Sequence, residues 1–421
     1  MKVNFVGILK SLGKAQSIIS PRVGAHQQQV AYLSYRIAQQ LKLTQEQQTD
    51  LLIAGLLHDI GALSLQEQEA AITEQLPDVN THAFRGAYLI SGLFPGKNIS
   101  QMIQYHHYYW HYGRTLMEYP NIPYGSQILH LADRISAYIS DKRFILSQIP
   151  DIKTYITKNS GESFHPEYAD AFISMADWES LWLDLVSAAP LDRVDKPLIA
   201  SSEMSIDDLV ELARVYSHLI DFRSPFTATH SASVAQVAQG IAERMHFSPT
   251  ECKEILIAGY LHDLGKLTVD NRILEKQSSL TTDEFDIIRS HSYYTYYLLD
   301  DIEAFDQIKR WAAYHHERLN GNGYPFHLGE SDLPLGARIM AVADVFSALQ
   351  EKRPYKEEMQ KNQITSILFD MVRTGSLDNS VVEVLTDNFS DLSEVCTQAK
   401  MTAEQEFSEL YRIGANQPAL C

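Results

Sequence analysis

The sequence predicts an all-α protein that contains two tandem helical domains. Apolar residues recur with helical period through most of the chain, and alternating β-type runs are sparse. The stretch LLIAGLLHDIGALS at 51–64 aligns without a gap with ILIAGYLHDLGKLT at 255–268. A chain of 421 residues is long enough for two domains, each with its own hydrophobic core. Together these observations indicate that one helical domain has been duplicated.

Each half begins with a histidine on the apolar face of an expected helix. In the first half, His26 lies four residues before an apolar stripe made of Val30, Leu33, Ile37 and Leu41. In the second half, His230 lies four residues before a stripe made of Val234, Val237, Ala238, Ile241, Ala242 and Met245. Residues four apart share one helix face, so both histidines are expected to face a core.

Histidines and aspartates recur in the same order and at nearly the same spacing in the two halves. His58 follows His26 by 32 positions, and His262 follows His230 by 32 positions. Ten of the 16 histidines belong to the two matched sets. The sets are His26, His58, Asp59, His82, His106, His107 and Asp133 in the first half, and His230, His262, Asp263, His291, His315, His316 and Asp344 in the second.

The His262-Asp263 pair lies inside a strongly apolar segment. A lone buried histidine is usually a hydrogen-bonded core residue, but a buried carboxylate is costly unless it is paired or binds a metal. Imidazole nitrogens combined with carboxylate oxygens suit Fe, Mn, Zn, Co or Ni better than Ca or Mg. Two such ions can activate water and stabilise a displacement at phosphorus. Lys266, three residues after Asp263, is positioned to contact the phosphate.

The composition narrows the classes of function. A formal net charge of -18 argues against a broad DNA-binding surface, because such surfaces rely on Lys and Arg contacts to phosphates. No run of eighteen apolar residues is present, so no membrane span is expected. Three widely spaced cysteines argue against a disulfide framework and favour the reducing cytoplasm.

The boundary between the domains is expected near residues 185–203. The segment SAAPLDRVDKPLIASSE contains two prolines and mixed small and polar residues, and helical period resumes at Ile206. The expected domains are therefore residues 1–195 and residues 204–421. The tail beyond about residue 360 is polar and has helical period.

Residues 215–360 resemble an HD-GYP domain, a branch of the HD phosphohydrolase superfamily. The resemblance rests on SPFTATHSASVA, LHDLGK, HHERLNGNGYP, RIMAVADVFSAL and RPYK, in this order. It implies two divalent ions, Fe or Mn with Ni, Co or Zn as substitutes, and a bridging Asp263. One ion would be held by His230, His262, Asp263 and Asp344, and the other by Asp263, His291, His315 and His316. The resemblance also implies that Asp263 and Lys266 are catalytic, and that Tyr324, Arg353 and Lys356 contact the substrate.

The chain departs from the family pattern at several positions. Phe226 stands where members with three metal ions have a glutamate, so two ions are expected. Asn320 stands where an aspartate is frequent in the signature loop, which Glu317 and Gly323-Tyr324-Pro325 are expected to shape. The first half keeps every metal-ligand position, but it lacks the lysine, the glutamate and the GYP sequence. It therefore resembles a general HD domain.

The resemblance implies a metal-dependent phosphodiesterase of bacterial second-messenger signalling. HD-GYP domains hydrolyse cyclic dinucleotides, chiefly c-di-GMP and in some members 3'3'-cGAMP, to the linear 5'-phosphorylated dinucleotide. The first domain would be regulatory, or would act as a 5'-nucleotidase on the product. The alternative is a catalytically weak cyclic-dinucleotide sensor that signals through a protein partner. A homodimer is a further open alternative.

The stretch Tyr293-Tyr294-Thr295-Tyr296-Tyr297 is unusually rich in tyrosine. Such rings can stack on nucleobases. They are more often packed against a hydrophobic core. We therefore expect this helix to be packed against the core of its domain.

Overall fold

The structure, a computed structural model, describes residues 3–73, 80–94, 97–111, 122–195, 198, 203–222, 229–276, 278–351 and 359–415. The chain forms two compact units. We call them the N-terminal unit, Asn4–Glu203 with Leu410–Cys421, and the C-terminal unit, Met1–Val3 with Met204–Glu409. The expected all-α fold is confirmed, since helices dominate both units.

The N-terminal unit contains ten of the described α-helices and two short 3₁₀ helices, Ile145–Gln148 and Pro190–Arg193. The α-helices are α1 (Phe5–Ile19), α2 (Pro21–Gln40), α3 (Gln45–Leu57), α4 (Leu65–Ile72), α5 (Thr81–Leu89), α6 (Ile99–Gln104), α7 (Tyr124–Tyr138), α8 (Ile149–Asn159), α9 (Pro166–Met175) and α10 (Glu179–Leu185).

The C-terminal unit is built in the same way, with 3₁₀ helices at Leu264–Thr268 and Glu303–Phe305. Its α-helices are α11 (Ile206–Phe222), α12 (His230–Arg244), α13 (Pro249–Leu261), α14 (Asn271–Leu274), α15 (Thr282–Arg289), α16 (His291–Asp300), α17 (Asp306–Ala313), α18 (Leu335–Leu349), α19 (Lys361–Arg373), α20 (Asn379–Asp387) and α21 (Phe389–Ala415). Two-residue strands β1 (Val3–Asn4) and β2 (Glu203–Met204) form a small sheet. Among the described residues, no helix is both long and apolar enough to cross a membrane.

The helices that lead to the two His-Asp pairs begin with the same local signal. Thr44 caps α3 and forms a capping box with Gln47, and Ser248 caps α13 and forms one with Glu251. In this arrangement two backbone N–H groups that lack helical partners are bonded reciprocally. Both helices are 13 residues long, so the matched starts place the histidines at matched ends.

Close helix packing brings the first two histidines of each set together. Helix α2 packs on α3, and α12 packs on α13. Gly259 faces the backbone of Ala235, and a Cβ atom at Gly259 would overlap that backbone. Gly55 faces Ala31 in the same way in the N-terminal unit. The short separation leaves the His230 and His262 ring centroids 5.4 Å apart.

Candidate metal centres

The predicted ligands of the C-terminal unit come from the ends and inner faces of five helical segments. His230 begins α12 and His291 begins α16. The remaining ligands follow α13 (His262 and Asp263), follow α17 (His315 and His316) or lie within α18 (Asp344). All of these helices belong to one unit, so the scattered sequence positions converge at one place.

Asp263 lies at the middle of this cluster. Its Oδ2 atom is 3.3 Å from His262 Nε2, and its Oδ1 atom is 3.4 Å from His291 Nε2. Lys266 Nζ is 2.5 Å from Asp263 Oδ2. Ligand atoms lie within 4.8 Å of one another in three groups: His291, His315 and His316; His230, His262 and Asp344; and His262, Asp263 and His315. The structure therefore brings all the residues of the second matched set together.

Backbone carbonyls orient three of the imidazole rings. His262 Nδ1 is 2.8 Å from Gly259 O, and His315 Nδ1 is 2.6 Å from Ala312 O. His291 Nδ1 makes the same contact with the carbonyl three residues before it, at 2.6 Å. A carbonyl only accepts, so the hydrogen bonds assign the proton to Nδ1 and the lone pair to Nε2. The Nε2 atoms are those that face the cluster.

The protonation states of His291, His316 and Asp263 suit a metal site. Burial lowers the pKa of His291 to about 4 and that of His316 to about 3, so both rings are neutral at pH 7. Burial acts to raise the pKa of Asp263, but His262 and Lys266 hold it well below its usual value. Neutral imidazoles beside an ionised carboxylate are the forms in which these groups bind a cation.

Glu351 is a site residue that the sequence analysis missed. Its Oε1 atom is 2.7 Å from His230 Nδ1, and Asp344 Oδ1 is 3.1 Å from Nε2 of the same ring. Burial acts to lower the pKa of His230, but these carboxylates raise it well above its usual value. Glu351 follows Asp344 by seven residues and lies just beyond the end of α18 at Leu349, so helical spacing alone did not indicate it.

Glu317 organises the signature loop, as the sequence suggested. It is 1% exposed, and its carboxylate accepts N–H hydrogen bonds from Phe326 at 2.7 Å and Leu328 at 3.0 Å. The Tyr324-Pro325 peptide bond is cis. The Tyr324 ring centroid lies 4.8 Å from that of His316, so the loop meets the ligand cluster at Tyr324.

Arg353 and Lys356, the other expected substrate contacts, lie outside the described residues, and so does Phe226. The expectation about the tyrosine-rich helix is wrong for Tyr293 and Tyr297, since each is 47% exposed. One face of α16 is therefore buried and another is exposed, so only part of its aromatic surface is buried.

The N-terminal unit contains a second cluster with the same residue types. Asp59 Oδ1 is 3.1 Å from His82 Nε2, and Asp59 Oδ2 is 3.2 Å from His58 Nε2. Asp133 Oδ1 is 3.1 Å from His26 Nε2. Ligand atoms lie within 4.8 Å of one another in two groups, Asp59 with His82, His106 and His107, and His26 with His58 and Asp59.

Two features distinguish the N-terminal cluster. Ala62 occupies the position of the lysine, and Arg134 instead donates to Asp133 Oδ2 at 2.7 Å. His106 Nε2 is buried and makes no hydrogen bond to the described residues, while Nδ1 of the same ring bonds Ile103 O at 2.7 Å. A buried nitrogen that lacks a partner but holds a lone pair fits a cation ligand.

Comparison with known proteins places both clusters in one family. Two family models, each described as an HD domain, match residues 23–138 and 214–381. Both halves of the chain are HD domains. The predicted duplication of an HD-type domain is thereby confirmed. Both HD domains share a cluster of His and Asp residues that could hold a metal ion.

The tandem HD protein has several relatives of known activity. It is 28% identical over 374 residues to 3'3'-cGAMP-specific phosphodiesterase 1 of Vibrio cholerae, an alignment that covers 86% of each chain. It is 34% identical over 211 residues to a cyclic di-GMP phosphodiesterase response regulator of Xanthomonas campestris, covering 49% of this chain and 54% of the relative. The crystal structure of V-cGAP3, a cyclic GMP-AMP phosphodiesterase of V. cholerae, matches with a TM-score of 0.62 and 22% identity over 93% of this chain and 98% of that one. This last likeness shows a shared fold.

Proposed function

We propose that residues 204–421 form a metal-dependent phosphodiesterase that hydrolyses cyclic dinucleotides, 3'3'-cGAMP and c-di-GMP, in second-messenger signalling. The observation that carries the proposal is Lys266, whose Nζ lies 2.5 Å from Asp263 Oδ2 where the ligand groups meet. This lysine is present only in the copy that has the signature loop, because the other copy, residues 1–195 in this proposal, has Ala62 at the matching position. The activities of the relatives support the substrate class.

The donor set fits two transition-metal ions. Residues His230, His262, Asp263 and Asp344 would hold one ion, and Asp263, His291, His315 and His316 would hold the other. Imidazole nitrogens combined with carboxylate oxygens favour Fe or Mn, with Ni, Co or Zn as substitutes. When bound, such a pair lowers the pKa of water and offsets negative charge on the phosphoryl oxygens.

The protein side chains bind the substrate and supply a proton. Burial acts to lower the pKa of Lys266, but the Asp263 carboxylate raises it above its usual value, so Lys266 is protonated at neutral pH. Its ammonium group can bind an equatorial phosphoryl oxygen, or donate a proton to the leaving 3'-oxygen. Water adds across one P–O3' bond, which gives a linear dinucleotide with a 5'-phosphate and a free 3'-hydroxyl. Tyr324, with Arg353 and Lys356, would hold the rest of the substrate.

The N-terminal HD domain is a second candidate site. Four of its ligand atoms, from Asp59, His82, His106 and His107, lie within 4.8 Å of one another, which supports metal binding there as well. Its proposed role is regulatory, or that of a 5'-nucleotidase on the linear product. The intact Lys266 favours an enzyme over the alternative, a sensor in the C-terminal unit. The proposed location is the cytoplasm, and the proposed partners are the substrate and either a second copy or a signalling protein.

Substitution of the central carboxylate tests the phosphodiesterase. Asp263→Ala should abolish hydrolysis of c-di-GMP, 3'3'-cGAMP and c-di-AMP by Mn-reconstituted protein, and it should lower the metal content measured by mass spectrometry. Lys266→Met should keep the metal and lower turnover about 10²- to 10³-fold, the usual effect of removing one charge-stabilising donor. Full activity of Asp263→Ala would sink the mechanism. Tight binding without turnover in the unmodified protein would support the sensor instead.

A further inference from the structure

A row of planar groups leads outward from the ligand cluster of the C-terminal unit. It begins at His316, whose ring centroid is 4.8 Å from that of Tyr324. The Arg289 guanidinium carbon lies 4.9 Å from the Tyr324 centroid and 6.0 Å from the centroid of Phe285. Arg289 thus connects the signature loop to the surface of α15.

Arg289 is available to a ligand. Its guanidinium is paired with Asp286 on its own helix, at 3.4 Å, and the two side chains are 38% and 61% exposed. Exposed ion pairs of this kind contribute little to stability, so Arg289 can leave Asp286 and bind a ligand at little cost to the folded state. The backbone of Arg289 is fixed because His291, a proposed metal ligand, follows two residues later.

The surroundings of Arg289 are aromatic. Tyr324 and half-exposed Phe285 lie beside the guanidinium, and Phe326, two residues after Tyr324 in the signature loop, is 37% exposed. The Phe326 ring lies 6.3 Å from that of Tyr293, which is itself 47% exposed. Nucleobases stack on surfaces of this kind, since every base has a π face. A phosphate gains nothing from such rings.

The N-terminal copy lacks this arrangement. Counted from the matched histidines His82 and His291, Arg289 corresponds to Asn80, which is 4% exposed. The same copy also lacks the GYP sequence that contains Tyr324. The arginine is therefore associated with the signature loop and the lysine, rather than with the metal scaffold that the copies share.

We propose that Arg289 reads the edge of a guanine base in the bound cyclic dinucleotide. The guanidinium fork matches two adjacent acceptors, and guanine presents O6 and N7 in this way. Adenine presents an amino donor next to N7, which opposes one arm of the fork. The inference rests on the proposed phosphodiesterase function, and it deepens it by assigning a preference for guanine-containing substrates over c-di-AMP.

Three substitutions and three nucleotides test the assignment. The unmodified protein should have a higher kcat/KM for 3'3'-cGAMP and c-di-GMP than for c-di-AMP. Arg289→Met should lower kcat/KM for the guanine-containing substrates by about 5- to 150-fold and change that for c-di-AMP little. Arg289→Lys should behave like Arg289→Met, because lysine keeps the charge but loses the fork. Arg310→Met is the matched control, since Arg310 is 47% exposed and paired with Asp306 of its own helix.

Binding measurements separate this inference from the proposed function. Calorimetric Kd values in the Lys266→Met background, with and without Arg289→Met, report discrimination without turnover. Turnover by the unmodified protein with an unchanged nucleotide preference in Arg289→Met would overturn the role of Arg289 alone. Recovery of the preference by Arg289→Lys would do the same, and would indicate a phosphate contact. Discrimination in binding without any turnover would overturn the phosphodiesterase and leave the role of Arg289 standing. The absence of both turnover and nucleotide discrimination would overturn the phosphodiesterase and the role of Arg289.

Discussion

His230 lies between two carboxylates, Glu351 at Nδ1 and Asp344 at Nε2. A carboxylate that accepts the N–H of a metal-binding histidine fixes the ring and makes its other nitrogen a stronger donor. In the N-terminal unit, the matching nitrogen of His26 contacts the Ser136 hydroxyl at 2.9 Å, a neutral group. The first histidine of the C-terminal set is therefore the stronger electron donor of the two.

Glu351→Gln should weaken metal binding by the C-terminal unit. The amide can still accept from His230 Nδ1, but the negative charge that strengthens Nε2 is lost. Losses of about 10- to 100-fold in metal affinity are usual when such partners are removed. Competition with a chelator measures the affinity, and Glu351→Ala should show a loss at least as large. Unchanged affinity in both variants would show that Glu351 has no role at the metal site.

Residue spacing predicted the residues that form the His and Asp clusters, but it did not predict the groups that contact them. His230 and His262 were recognisable because the same interval recurs at His26 and His58. Arg289 carries no comparable signal, since its position over Tyr324 depends on how α15 meets a loop 35 positions later in the chain. The sequence likewise did not predict that Tyr293 is exposed, because aromatic composition does not tell which face of a helix is buried.

At the scale of elements, the start of α12 is fixed by a carboxylate from another helix. Asp221 of α11 accepts from Ser231 Oγ at 2.7 Å and from Ser231 N at 3.1 Å. The first N–H groups of a helix have no partner within it, so this contact holds the end that carries His230. Burial raises the pKa of Asp221 to about 6. The ionised form therefore costs folding free energy at neutral pH.

Asp221→Asn should stabilise the metal-free protein at pH 7.5 and lower its activity once metal is added. Between an unfolded pKa of about 3.9 and a folded pKa of about 6, only the folded state keeps the proton. Stability of the unmodified protein thus falls as pH rises through this window, and the asparagine variant avoids a cost of about 1–3 kcal/mol. Urea unfolding at pH 7.5 and pH 5 measures the difference, which should shrink at the lower pH. An equal difference at both values would refute the assignment.

The sequence predicted elements well where the helix signals are local. The stripe after His26 forms α2 and the stripe after His230 forms α12. Capping residues mark the beginnings of α3 and α13. By contrast, the hydrogen bond from Ser231 N to Asp221 joins α12 to α11, and no periodic pattern in the sequence predicts it. Local signals fix helices, whereas contacts between helix ends follow from packing.

At the scale of the whole molecule, the two copies share a cluster of His and Asp residues and differ in the groups around it. Lys266 corresponds to Ala62, Glu317 to Tyr108 and Arg289 to Asn80. Each change removes a charge or a loop contact that a large cyclic substrate would use. The N-terminal unit keeps its buried cluster of His and Asp residues and adds a cation, Arg134, next to Asp133. This division supports a different role for the N-terminal unit, regulatory or that of a 5'-nucleotidase, as proposed above.

Matched alanine variants separate the activities of the two copies. If the N-terminal unit removes the 5'-phosphate of the linear product, Asp59→Ala should reduce phosphate release to the level of metal-free protein and leave ring opening intact. Asp263→Ala should lose ring opening, and it should still release phosphate when linear dinucleotide is supplied. The reason is that each aspartate contacts histidines of its own cluster, His82 at 3.1 Å from Asp59 and His291 at 3.4 Å from Asp263. Chromatography of the nucleotides and a phosphate assay report the two steps in one reaction. If the unmodified protein releases no phosphate from the linear dinucleotide, the N-terminal unit has a regulatory role. If phosphate release is lost in Asp263→Ala but kept in Asp59→Ala, both steps belong to the C-terminal unit.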